Sequence, residues 1–200
     1  MKRFLINIAL LMAMGGSAIA QDIKLPEPNR TGGMSLMEAL SNRKTTREFN
    51  PNKELTQEQL STLLWSAWGF NREDKRTVPT GKNIQEGSIY VITDKSVYKY
   101  DAKENSLIYI CNEDIREYAA RQDFAKQATL NIAIVSDTDK QPKDIYAGFT
   151  AGAMSQSMYL YCASEGINTV VRGNFDAELL AQKLKLADNE RVLLVQTFGF

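Results

Sequence analysis

Residues 144–173, DIYAGFTAGAMSQSMYLYCASEGINTVVRG, determine the fold of this chain more than any other stretch. The part from 144 to 165 has the pattern of a long helix, rich in small residues and apolar over much of its circumference. Such a helix should be buried, and a subunit interface is one place where that can happen. Gly166 stands where a C-terminal glycine cap belongs, and INTVVRG then has the pattern of a strand. This stretch therefore predicts a layered structure in which a long helix covers a sheet.

Outside this stretch, helices come first and strands are scattered among later helices. Two helices are predicted to begin at capping boxes, Ser35 with Glu38 and Thr56 with Gln59. Residues 71–87 have the composition of a polar loop. Further strands are predicted at 88–94, 130–137 and 190–200, a hairpin at 96–111, and helices at 114–126 and 176–186. Because the strand–helix alternation of a doubly wound sheet is missing, the predicted fold class is α+β.

The composition excludes several classes of function. The chain has 200 residues, with 24 Lys and Arg against 24 Asp and Glu, and it contains no His. Balanced charge without a basic stripe argues against a nucleic-acid partner. The absence of His excludes His-based triads, His metal sites and an imidazole general base. Any chemistry must come from a cofactor or from other side chains, and the partner expected is a small molecule.

The first twenty residues have the pattern of a secretory signal. Lys2 and Arg3 precede an apolar run from Phe4 to Met14, and small residues lead to a cleavage site after Ala20. The apolar run is too short to span a bilayer comfortably. The sequence thus predicts a cleaved signal peptide at 1–20, one domain at 21–200, export to the periplasm of a Gram-negative bacterium, and no stable membrane anchor after cleavage.

Cys111 and Cys162 are the two cysteines of the sequence. An exported protein in an oxidising compartment can join such a pair in a disulfide. Two cysteines without metal-type spacing are also typical of buried apolar positions. Both interpretations stay open.

A cluster of cations follows the first predicted helix, in SNRKTTREFNP at 41–51. Arg43, Lys44 and Arg47 surround two threonines, with Glu48 as the acid in the run. One interpretation is a solvated helix end whose cations complement the helix dipole. The other is a binding site for a phosphorylated cofactor, since a guanidinium binds phosphate bidentately.

Four stretches together resemble one known family. NRKTTREF (42–49) resembles the R-R-S-x-R-x-F signature of the FMN-dependent nitroreductase family, and RTVPTGKNIQ (76–85) resembles its P-S-x-x-N-x-Q loop. YLYCASEGINTVVRGNFD (159–176) is similar to its central helix and flavin-facing strand, and RVLLVQTFGF (191–200) to its closing strand. The resemblance implies an α+β nitroreductase-like fold, a mixed or antiparallel sheet flanked by helices, and a homodimer with two FMN sites at the subunit interface.

The resemblance also implies roles for residues of the first two stretches. Arg43, Lys44 and Thr45 should hold the FMN phosphate and ribityl chain, and Arg47 should lie near the N1/O2 edge of the flavin. The second loop should come from the partner subunit. Its implied cofactor-binding residues are Pro79, Thr80, Gly81, Asn83 and Gln85. Glu86 departs from the family pattern, in which many relatives have Pro after the Gln.

The third stretch implies contacts to the flavin ring. Val171 should pack on the ring, and the backbone N–H groups of Arg172 and Gly173 should lie near N5 and O4. Many relatives have an acid at the position of Arg172. Its side chain could stabilise a negative reduced flavin or contact the phosphate, or it could be an exposed arginine at a strand end in a salt bridge.

The function implied by the resemblance is a flavin-dependent oxidoreductase. Hydride would pass through flavin N5 from NAD(P)H to a nitroaromatic or quinone-type acceptor. NAD(P)H is cytoplasmic, so an exported enzyme would need another electron donor. An exported dehydrogenase of another substrate, similar to azoline oxidases, is therefore an alternative. A non-catalytic FMN-binding protein is a second alternative. Tyr159 and Tyr161 on the long helix are interpreted as packing residues.

Overall fold

A twisted antiparallel sheet organises the chain in the computed structural model, which describes residues 21–200. The signal peptide predicted at 1–20 lies outside the described residues. Within 21–200, seven strands form the main sheet in the order β1-β6-β5-β4-β7-β9-β8, and each neighbouring pair is antiparallel. Its strands are β1 (Ile23–Lys24), β4 (Gly87–Ile92), β5 (Val97–Asp101), β6 (Ser106–Cys111), β7 (Leu130–Asp137), β8 (Asn168–Arg172) and β9 (Glu190–Gly199). The predicted α+β class is confirmed, and the sheet is antiparallel rather than mixed.

Helices cover both faces of this sheet. They are α1 (Leu36–Asn42), α2 (Gln57–Trp68), α3 (Arg116–Ala119), α4 (Phe124–Gln127), α5 (Asp144–Glu165) and α6 (Ala177–Lys183). The long helix α5 packs on one face, where Met154 and Met158 join Leu63 and Leu64 of α2 in one apolar core. On the other face, residues of α3 and α6 form a second core.

The central strands alternate between these two cores. In β4, Ile89 and Val91 belong to the α5 side, whereas Tyr90 and Ile92 belong to the α6 side. Strand β7 is buried on both faces, which explains its continuous apolar run. The two-sided burial fixes the register, because a slip of one residue would exchange the two faces of a strand.

The predicted helix boundaries are confirmed where the sequence carries a local capping signal. Ser35 accepts from the backbone N–H of Glu38, whose carboxylate accepts from Ser35 in return. Thr56 and Gln59 form the same box on α2. Gly166 ends α5 at φ 67°, in the left-handed region that glycine enters without a steric cost.

The predicted polar loop at 71–87 is wrong in part, because it contains a small hairpin. Strands β2 (Phe70–Arg72) and β3 (Lys75–Arg76) pair with each other before a short 3-10 turn at Gly81–Asn83. The Arg76 guanidinium lies over the rings of Trp68 and Phe70, at 4.5 and 3.9 Å from their centroids, and donates to Trp68 O. These contacts between Arg76 and the end of α2 hold the hairpin against that helix.

The helix predicted at 114–126 is divided into α3 and α4. Ala120 adopts an extended conformation, with φ −155° and ψ 130°, between the two. The carbonyl of Tyr118 accepts from the N–H of Asp176 instead of continuing a helical ladder. A tertiary hydrogen bond thus ends α3 after one turn.

Two further observations concern membrane spans and the cysteines. No helix within 21–200 has both the length and the apolar character needed to cross a membrane. Cys111 and Cys162 are free thiols in the structure. Burial raises the pKa of both, and most strongly that of Cys162 inside the α5 core.

Candidate functional site

The loop after α1 lies along the edge strand β8. Helix α1 ends at Asn42, and the N–H of Arg43 closes it by donating to Ala39 O. The N–H of Thr46 donates to Thr169 O at 3.0 Å, which ties the loop to the outer edge of the sheet. A cavity of about 520 Å³ opens between this loop, the C-terminal half of α5 and the start of β8.

The Tyr159 hydroxyl connects the two sides of this cavity. Val171 N–H donates to Tyr159 Oη at 3.0 Å, and Thr45 Oγ1 lies 3.1 Å from the same oxygen. The Arg43 guanidinium lies 5.4 Å from the centroid of the Tyr159 ring. The structure thus brings the cation loop at 42–49 and strand β8 together. Tyr159, which the sequence predicted to be a packing residue, makes the contact between them.

The cations of the loop have no carboxylate partners in the part of the chain that the structure describes. Arg43 is half-buried, Lys44 and Arg47 are exposed, and none of them forms an ion pair within residues 21–200. The last turn of α1 contains no basic residue, and Arg43 is its C-cap residue. Arg43 can therefore complement the helix dipole, whereas Lys44 and Arg47 lie beyond the end of the helix and are compatible with an anion-binding loop.

The backbone N–H groups of β8 alternate in direction along the strand, and this alternation determines which of them point toward the outer edge of the sheet. The N–H of Val171 and the C=O of Thr169 both point away from β9, since they bond Tyr159 and Thr46. Successive residues of a strand alternate, so the N–H of Arg172 points toward β9. Strand β8 ends at Arg172, and Gly173 is the exposed residue that follows it. Of the two donors predicted for flavin N5 and O4, the Arg172 N–H therefore points into the sheet, whereas the Gly173 N–H lies beyond the end of the strand.

The side chain of Arg172 lies on the other face of the sheet. It is 7% exposed, and its Nη2 donates to Asn131 Oδ1 at 3.0 Å and to Thr197 Oγ1. Its guanidinium lies 5.5 Å from the Phe124 ring, and burial lowers its pKa to about 10. The prediction of an exposed arginine in a salt bridge is therefore wrong. A direct contact from this guanidinium to a phosphate at Arg43 is also excluded, because the sheet lies between them.

The second predicted segment is a strained and internally bonded loop. Lys82, Asn83 and Gln85 have φ of 54°, 58° and 54°, a region that non-glycine residues seldom adopt. Gln85 Nε2 donates to Asn83 Oδ1 and to Asp74 O, and its N–H donates to Thr80 Oγ1. Strain held by surrounding bonds is common in ligand-binding segments.

Within one chain, this loop and the cation loop contact different parts of α5. A Cβ placed on Gly81 would lie 3.9 Å from the ring of Tyr146, near the start of the helix. Arg43 lies at Tyr159, thirteen residues further along. That spacing corresponds to about 20 Å along a helix. The structure does not bring the two predicted segments together in a single chain.

Glu86 is an unusual residue beside the second loop. It is 2% exposed, and neither carboxylate oxygen has a hydrogen-bond partner within residues 21–200. Burial of an unpaired charge is costly. We therefore expect Glu86→Gln to raise the free energy of unfolding at pH 7 by about 1–2 kcal/mol, measured by urea denaturation.

The matched control for this substitution is Glu48→Gln. Glu48 is exposed and forms no ion pair among the described residues, so its replacement should change stability by less than about 0.5 kcal/mol. A loss of stability in Glu86→Gln would contradict the expectation and would show that the Glu86 carboxylate has a favourable partner in solution.

Comparison with known proteins identifies the class to which this fold and site belong. Residues 40–200 match the sequence model of the Nitroreductase family. The chain belongs to the nitroreductase family and is an FMN-dependent oxidoreductase.

Three relatives illustrate the similarity. A Methanocaldococcus jannaschii protein provisionally named nitroreductase MJ1384 is 25% identical over 190 residues, which cover 86% of this chain and 94% of that protein. The crystal structure of a provisionally assigned nitroreductase from Ralstonia eutropha is 37% identical, with a TM-score of 0.83 and coverage of 90% of this chain and 89% of that one. One from Desulfovibrio desulfuricans, in complex with FMN, has a TM-score of 0.62 at 18% identity, with coverage of 84% and 87%.

The residues around the cavity fit the chemistry of FMN. Its phosphate carries close to two negative charges, and Arg43 and Lys44 line the cavity without carboxylate partners among residues 21–200. Thr45 adds a hydroxyl at the same loop. The start of β8, at Asn168 and Thr169, forms another wall of the cavity.

Proposed function

We propose that this protein is an exported, homodimeric oxidoreductase that transfers hydride from a reduced nicotinamide to a nitroaromatic or quinone-type acceptor. FMN supplies the redox chemistry at its N5 when bound. The observation that carries the proposal is the group of cations on the loop after α1, which have no carboxylate partner within residues 21–200. Because this loop is hydrogen-bonded to the edge of β8, the arrangement offers an anion site beside the edge strand of the sheet.

The residues of the chain would bind and orient rather than transfer protons. Arg43 and Lys44 would hold the phosphate end, and Val171 would pack on the flavin ring. The Gly173 N–H is the rigid donor at the edge where the flavin ring would lie, and a fixed donor needs no reorganisation during the reaction. The absence of His is compatible with hydride chemistry, which needs no imidazole.

A partner subunit would complete the site. The second loop is about 20 Å from the cation loop along α5, so its residues reach the cavity more readily from another chain. Apolar side chains are exposed near the start of α5, with Ile145 76% and Phe149 55% exposed, and on α1, with Met37 71% exposed. Exposed large apolar side chains of this kind are common at subunit interfaces. A twofold axis would use the same surface in both chains.

The proposal is tested first by the absorbance spectrum of purified residues 21–200 between roughly 300 and 550 nm, followed by anaerobic addition of NAD(P)H. We expect flavin bands that bleach with NAD(P)H. Bands that bleach with dithionite but persist with NAD(P)H would contradict the nicotinamide donor and favour a dehydrogenase or a carrier. If no bands appear even after FMN is added, the proposal is wrong.

Export is part of the proposal and can be tested by a separate experiment. The basic start, the apolar run and the small residues before Gln21 support cleavage after Ala20. N-terminal sequencing of protein from the periplasmic fraction should begin at Gln21. Full-length chain in the cytoplasmic fraction would contradict this part of the proposal.

A further inference from the structure

The Tyr159 hydroxyl is the point at which the two walls of the cavity meet. The Tyr159 side chain is nearly buried, at 6% exposure, on the face of α5 that packs toward β8. Its oxygen contacts the backbone N–H of Val171 at 3.0 Å on one side and Thr45 Oγ1 at 3.1 Å on the other. The Tyr159 hydroxyl therefore adds a side-chain link between the strand edge and the cation loop, beside the backbone bond from Thr46 to Thr169.

We propose that Tyr159 is a positioning residue that aligns the phosphate-binding loop with the strand edge and sets the direction of the Thr45 hydroxyl. The inference rests on the proposed function, because it assigns the loop to the phosphate of FMN. It concerns Tyr159 itself, a residue that touches neither reacting atoms nor substrate in this arrangement.

The directions of the hydrogen bonds give Thr45 its role. A tyrosine hydroxyl has one proton and two lone pairs. Tyr159 Oη accepts from Val171 N–H. Either oxygen can donate in the contact between Tyr159 Oη and Thr45 Oγ1, and in the proposed alignment Tyr159 is the donor. Once Thr45 Oγ1 accepts that proton, its own proton is free for the cavity. The loop then presents a hydroxyl donor beside the two cations, which suits a phosphate oxygen.

The ring of Tyr159 orients the neighbouring cation. The Arg43 guanidinium lies 5.4 Å from the ring centroid, within the range of a cation–π interaction. Phenylalanine at this position would keep the ring and its burial and would remove the oxygen alone. Tyr159→Phe therefore separates the hydrogen-bonding role from the packing role.

The loop keeps its other attachments when the hydroxyl is removed. Arg43 N–H still donates to Ala39 O, and Thr46 N–H still donates to Thr169 O. Asn168 Nδ2 also donates to Glu48 O at the far end of the loop. We therefore expect Tyr159→Phe to fold, with the loop present but less well aligned.

The decisive experiment compares two ligands that differ by the phosphate. We measure the Kd of FMN and of riboflavin for the wild type, Tyr159→Phe and Thr45→Val by fluorescence titration. We expect Tyr159→Phe to raise the Kd of FMN by about 5- to 10-fold, in line with one hydrogen bond, and that of riboflavin by less than about twofold. The double variant with Thr45→Val should lose little more than either single variant, because both act through one contact.

Tyr161→Phe is the matched control. Tyr161 lies on the same helix, is half-buried, and lines a different cavity, together with Thr62. It should leave both affinities unchanged. An equal loss of FMN and riboflavin binding in Tyr159→Phe would overturn the proposal in favour of a general structural role, and unchanged FMN binding would overturn it outright.

A second measurement is independent of any flavin. Trypsin cleaves after Arg43, Lys44 and Arg47, so its rate of cleavage in the loop reports how firmly the loop is held. We expect faster cleavage there in Tyr159→Phe than in Tyr161→Phe. If the wild type binds neither flavin, the proposed function fails, while equal cleavage rates in the two variants would overturn the role of Tyr159 on its own.

Discussion

Arg43→Ala is expected to raise the Kd of FMN by about 10- to 150-fold, because a hydrogen bond to a charged group contributes about 1.5–3 kcal/mol. Arg43 is the half-buried cation of the loop, and it has no carboxylate partner among residues 21–200. Its removal also ends the contact with the Tyr159 ring. Riboflavin, which lacks the phosphate, should bind the variant almost as well as the wild type.

The measurement is a titration of apoprotein with FMN, followed by quenching of flavin fluorescence. Arg43→Lys should lie between the wild type and the alanine variant, since an ammonium keeps the charge but not the bidentate geometry. Arg72→Ala is the matched control, because Arg72 is an exposed arginine of the β2–β3 hairpin whose Nε contacts Asn71. Wild-type FMN affinity in a folded Arg43→Ala protein would refute the phosphate assignment.

Local signals in the sequence predicted the helix starts and ends well. The capping boxes at Ser35 and Thr56 and the glycine at 166 act through neighbours within a few residues, so their effect is visible without a fold. The buried strand at 130–137 was equally predictable, because a strand with two covered faces must be apolar throughout.

Features that depend on tertiary contacts were not predictable from the sequence. The hairpin at 70–76 exists because Arg76 stacks on Trp68 at the end of α2. The division of the helix at 114–126 depends on a hydrogen bond from Asp176 to Tyr118. In both cases the local composition is compatible with several structures, and a distant residue selects one of them.

The candidate site, like the fold, was predictable from the sequence only in part. The cation loop was recognisable from its composition, whereas the direction of the Arg172 side chain depends on the parity of β8 against β9. The role of the Tyr159 hydroxyl could not be predicted from the sequence for a different reason. A tyrosine in an apolar helix is usually a packing residue, and its hydroxyl gains a role only when β8 and the cation loop come to lie on either side of it.

A dimer made of one Arg43→Ala chain and one Asn83→Asp chain is expected to regain FMN binding at one of its two sites, about half of the wild-type amount per dimer. Each site would use the cation loop of one chain and the second loop of the other. In the mixed dimer, one site therefore receives both altered loops and the other receives none. Asn83→Asp is preferred to alanine because Asn83 has φ 58°, a conformation that aspartate tolerates.

The measurement uses co-expressed chains with two different affinity tags, so that mixed dimers alone are purified and their flavin content is read by absorbance. The control pairs a wild-type chain with a chain that carries both substitutions. If sites are shared between subunits, each site of this control contains one altered loop and neither binds FMN well. If each site belongs to a single chain, the outcomes are reversed: the control keeps one intact site, and the first mixture has none. The two mixtures thus distinguish a shared site from a separate one, even if either substitution weakens binding only partly.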